Sequence, residues 1–125
     1  MNMDMAIMKT DREQDRIFRK TKDLTSALCH TEIYHQYQKN LAILKKHEDI
    51  WGRLNEFRRR NINLDPGDEY FREQEEALRK EYEDILGLPV VMNYLTSESL
   101  LNKMLRMVYD SIAEDILIDL SYMGE

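Results

Sequence analysis

The amino-acid sequence predicts an all-α fold: a helical bundle of about five helices with one long C-terminal helix. Three observations predict it. Apolar residues recur at spacings of three and four along almost the whole chain, the period of a helix with one face in a core. Only four glycines and two prolines occur in 125 residues, too few for the turns of a many-stranded sandwich or barrel. Charged residues make up 34%, above the usual quarter, which suits long solvated helices. No strand-like alternation bounded by turns interrupts the pattern; Ile116-Leu117-Ile118 is the one β-branched cluster, and it keeps the helical phase.

Residues 1–10 are expected to form a loose, flexible N-terminus, and residues 11–125 a single helical domain. The first helix spans Asp11 to about His30, with Ile17, Leu24 and Leu28 on one stripe and Thr21 and Ala27 beside it. Thr31 has the chemistry of an N-cap, and Glu32 follows in the first turn, where an acid meets the positive helix end. Tyr34, Tyr37, Leu41 and Leu44 then form the stripe of a second helix.

Around Lys45-Lys46-His47 the stripe changes phase, and Ile50, Leu54 and Phe57, with Trp51 alongside, make another seam. A new helix and a bend in the previous one fit this pattern equally. Asn61 to Asp68 reads as a loop, because Pro66-Gly67 suits a turn and Pro66 pushes Asp65 away from helical geometry. A fourth helix is expected from Asp68 to Leu86, with Phe71, Leu78, Tyr82 and Ile85 inward. On its outside, Asp68 with Arg72, Glu75 with Arg79 and Glu76 with Lys80 are acid-before-base pairs.

Gly87 closes that helix and Pro89 sits near the first position of the next. The last helix is expected to run from Val90 to Tyr122 without a breaker. At 1.5 Å per residue it would be ~45 Å long, more than a compact domain of this size is wide. Its stripe is Val91, Leu95, Leu101, Leu105, Val108, Ile112 and Ile116, widened by Met104, Met107 and Leu117. Glu98 interrupts that stripe and needs a basic partner or access to water. The surplus apolar face predicts a homodimer or partner interface through Val91, Leu95, Glu98, Leu101, Leu105, Val108, Ile112 and Ile116.

The net charge of −6 disfavours direct contact with nucleic acid or anionic lipid. The lone Cys29 fits a reducing compartment, no stretch reaches membrane-span length, and Met1 to Met5 lacks the apolar block of a secretory signal; the expected location is cytoplasmic. Glu32-x-x-His35 has the spacing of a carboxylate-bridged di-metal bundle, but that chemistry needs a second such pair, and neither His30 nor His47 follows a Glu by three. Cys29 and His30 are adjacent and so point about 100° apart on a helix, a poor arrangement for a nucleophile and its base. No catalytic, cofactor or metal residue is selected. Arg58-Arg59-Arg60 is the sole basic cluster, readable as an RNA contact or as positive charge at a helix C-terminus.

Several of these residues resemble the YlbF/YmcA family of small bacterial helical regulators. The resemblance starts at Leu24, Ala27 and Leu28 and continues through Thr31-Glu32-x-Tyr34-x-x-Tyr37 and Leu54-x-Glu56-Phe57. It is strongest at Pro89-x-Val91-x-x-Tyr94-Leu95-x-x-Glu98-x-x-Leu101 and the stripe that follows. Leu88 and Ser97 depart from the family's usual Asn and Ala, and a single cysteine cannot hold the iron–sulfur cluster of some members. The resemblance implies a self-associating helical bundle and a non-catalytic regulatory or adaptor role in competence, biofilm and sporulation programmes. It also implies a protein partner in an endoribonuclease complex that controls RNA processing. The alternatives are a metal-dependent helical-bundle enzyme and an RNA-contacting accessory protein.

Overall fold

A computed structural model describes the backbone of residues 3–116 and the side chains of residues 11–116. Among the described residues there are six α-helices and no strand: α1 Met3–Cys29, α2 Glu32–Lys45, α3 Glu48–Ile62, α4 Phe71–Glu81, α5 Glu83–Leu86 and α6 Pro89–Ile116. The chain divides into two compact units, Met1–His35 and Gln36–Glu125.

The first unit contains α1, which begins at Met3 rather than Asp11, and the opening turn of α2. Thr31 joins them. Its hydroxyl donates to the Leu28 carbonyl at 2.7 Å and accepts the Tyr34 N–H at 3.1 Å, closing one helix and capping the next. Ile17 and Leu24 are exposed and Leu28 is half-buried. A unit of one helix and one turn has no second layer to cover the stripe.

The second unit holds the core: Leu44, Leu54, Leu78, Tyr82, Ile85, Val91 and Tyr94 are all buried. Each fully covered aliphatic side chain here contributes about 1.5–3 kcal/mol. The phase change at Lys46-His47 is a true break, so α2 and α3 are separate helices; Glu48 and Asp49 stand in the first turn of α3. α3 continues through Ile62, so the loop begins two residues later than its polar composition suggests. There Asp65 and Asp68 accept the N–H groups of Gly67 and Tyr70 through their side chains.

The expected fourth helix is two helices, raising the count from five to six. At Tyr82 the backbone leaves α-geometry (φ −110°, ψ 12°), and the Tyr82 and Ile85 N–H groups bond to the carbonyls three residues back. This tighter turn accompanies burial of Leu78, Tyr82 and Ile85 together. Gly87 does follow α5, but at φ −90°, a right-handed geometry that other residues also adopt. Pro89 is the first residue of α6, where its missing N–H costs nothing.

Candidate functional site

α3 carries three arginines with defined partners, and the helical period decides where each one goes. Arg53 and Arg60 are seven residues apart and nearly eclipsed, whereas Arg58 and Arg60 point about 200° apart. Arg53 therefore reaches Asp84 of α5, and Arg60 reaches Glu81 of α4 and the Tyr82 hydroxyl at 3.2 Å. Both guanidinium groups also lie over the Tyr82 ring, which packs against Phe57. Hydrogen bonding to Arg60 holds the Glu81 carboxyl below its usual range, and Arg53 does the same for Asp84.

Arg58 turns the other way, to α6. Its two terminal nitrogens donate to the two Glu98 oxygens at 2.9 and 2.8 Å, a bidentate fork. The Tyr94 hydroxyl donates to the same carboxylate at 2.9 Å. Arg58 lies 5.2 Å from the Tyr94 ring centre, and Tyr37 and Trp51 pack against that ring at 5.8 and 5.7 Å. Side-chain exposures of 30% and 26% make this the most shielded ion pair among the described residues. Burial works against the Arg58 charge, but the hydrogen bonds and charge of Glu98 outweigh it and hold the guanidinium above its ordinary value. Burial, reinforced by donation to Glu98, pushes the Tyr94 phenol well above the ordinary tyrosine range.

Glu98 thus has the basic partner its position on the stripe demands, and Arg58 and Arg60 of the cluster are built into interhelical pairs; Arg59 and Arg60 are exposed and Arg58 half-buried. None of the three acid-before-base pairs expected on α4 closes as an ion pair among the described residues.

α6 changes character at Glu98. Val91 is fully buried and Leu95 packs against the core, so these two expected interface residues serve the chain itself. Beyond Glu98, Leu101, Met104 and Val108 are half-buried, while Leu105, Ile112 and Ile116 are 44%, 47% and 63% exposed. Met107 and Tyr109 also face outward. The predicted extension to Tyr122, with Leu117, lies outside the described residues.

The residues weighed for catalysis do not gather. Glu32 and His35 are both exposed, and the His30 ring nitrogen Nδ1 donates to the Ser26 carbonyl at 2.6 Å rather than to Cys29. Among the described residues no three His, Cys, Asp or Glu side chains converge as a metal site requires. No described helix is long and apolar enough to cross a membrane.

Fold and surface together define a small helical protein whose distinctive feature is one long helix, clamped at its middle and apolar beyond. The family described as control of competence regulator ComK, YlbF/YmcA, matches residues 17–116. The chain belongs to that family. No curated protein and no solved structure matches it. The family description names control of a regulator and no reaction, which gives the chain a regulatory association.

Proposed function

We propose that the chain is a non-catalytic regulatory adaptor in the cytoplasm that works as a homodimer and binds further protein. The observation that carries this reading is the run of Leu105, Ile112 and Ile116 on α6, apolar and substantially open to water. Such a face is unfavourable alone and favourable when paired. A second copy is the simplest occupant, because a two-fold contact needs one self-complementary surface. Leu101, Leu105, Val108, Ile112 and Ile116 are the contact residues, and Met104 and Met107 adapt the fit.

Family membership supports a role in developmental programmes such as competence, biofilm formation and sporulation. By resemblance, the partner is an endoribonuclease complex and the outcome is altered RNA processing. Mapping transcript ends in cells that lack the chain tests this. Processing should change on deletion and be restored by the wild-type chain but not by Ile112→Glu. Unchanged transcript ends after deletion would rule out the RNA-processing role.

A further inference from the structure

We propose that Arg58, Tyr94 and Glu98 form a register lock, which selects one position of α6 along α3 rather than supplying net stability. The inference concerns the chain itself and does not depend on the association proposed above.

The argument begins with the stripe. Val91, Leu95, Leu101, Leu105, Val108 and Ile112 repeat at helical spacing, with Glu98 as the polar member in their midst. An aliphatic stripe is nearly degenerate: a slide of about one turn, ~5.4 Å, replaces each apolar residue by another and leaves similar area covered. Glu98 removes that degeneracy. The same slide would put Leu95 or Leu101 opposite the Arg58 fork and strand a partly buried guanidinium. It would also carry the Tyr94 ring away from Tyr37 and Trp51. In the observed register, no described buried side-chain nitrogen or oxygen lacks a partner.

The lock stands where precision has the largest effect. Glu98 to Ile116 is ~27 Å of helix, and a one-turn slide of three or four residues carries everything on it ~5 Å along the axis and turns it by about 40–60°. Glu98 and Arg58 therefore decide where the open apolar residues face. A polar group inside an apolar seam that fixes register at no gain in stability is an established device in paired helices.

The test separates register from stability. Spin labels are placed at Glu56→Cys on α3 and Lys103→Cys on α6, both exposed, in a Cys29→Ser background diluted with unlabelled chain. The wild-type lock should give a single narrow distance distribution. The apolar triple variant Arg58→Met/Tyr94→Phe/Glu98→Leu should melt at or above the parent temperature, yet show a distribution broadened into more than one population. A single unshifted population in that variant, or a melting temperature clearly below the parent, overturns the proposal. Should the triple variant not fold, the single substitutions decide. Glu98→Gln keeps a polar interruption and should keep one population, whereas Glu98→Leu should not; identical distributions in the two would also overturn the lock.

Discussion

The two ends of α6 carry the same apolar spacing and meet opposite fates. From Pro89 to Glu98 the helix faces the core: Val91 and Tyr94 are buried, Ser97 donates to the Tyr94 carbonyl, and Asn40 of α2 donates to the Asn93 carbonyl. From Leu101 to Ile116 the periodicity continues, but apart from the small Ala113, which is buried, the side chains are half-buried or exposed. Helical amphipathicity therefore reports that a face can be buried. It does not report whether the chain's own core or another molecule buries it.

Putting the same charge at each end gives the largest contrast. Val91→Asp places an unpaired carboxylate in a site with no exposure and should cost about 4 kcal/mol or more, abolishing a cooperative melt followed by circular dichroism. Ile116→Asp should leave the helical signal intact. If both variants unfold equally, the two halves do not differ as described.

At the boundary, Glu98→Ala leaves Arg58 shielded without its partner. The expected destabilisation is about 1–3 kcal/mol by denaturant titration, below the cost of a fully buried pair because about a quarter to a third of each side chain sees water. A smaller effect shows only as pH rises. The folded-state phenol of Tyr94 is raised, so its contribution is fully present below the unfolded value of about 10 and is lost as pH climbs through the folded value. Tyr94→Phe should remove that component, so its melting temperature falls less between pH 9 and pH 11 than the parent's does. Equal falls would contradict the shielded hydroxyl.

The exposed pairs should matter least. Arg53→Ala and Arg60→Ala are expected to lower the melting temperature slightly at pH 7, since surface ion pairs are weak. Asp84 and Glu81 have depressed folded-state values, so their contribution is present above about pH 4 and is lost in stronger acid. The small difference from the parent should therefore vanish near pH 2. A difference that persists there would come from the cation–ring contacts with Tyr82 instead.

Much of the architecture was legible in the sequence, because its signals are local. Thr31 as a cap, Pro89 as a first helical residue and the Pro66-Gly67 turn each act within a few residues of themselves. The inward positions Leu44, Leu54, Leu78, Tyr82, Ile85 and Val91 followed from period alone. What escaped was relational. The split at Tyr82 accompanies packing with Phe57 and Arg60 on another helix, and no breaker residue marks it. The three arginines read as one basic cluster, although their angular separation on a helix already implied different neighbours. A continuous stripe carries no sign of where the core ends, so period alone predicts one interface for Val91, Leu95 and Ile112, although Val91 is in the core and Leu95 packs against it. Glu98 is the one available hint: a carboxylate on an apolar face needs a basic partner or access to water, and the partner it has is Arg58.

The central claim is that the outer half of α6 is a self-association surface. Light scattering on the purified chain, alone and as Ile112→Glu, tests it most directly. Ile112 is 47% exposed, unlike its buried neighbour Ala113, so its substitution should spare the fold while placing a charge in the middle of the stripe. The account predicts a mass near twice 15.0 kDa for the parent and a shift toward monomer in the variant, with helical content unchanged. A parent that remains near 15.0 kDa at high micromolar concentration would contradict it.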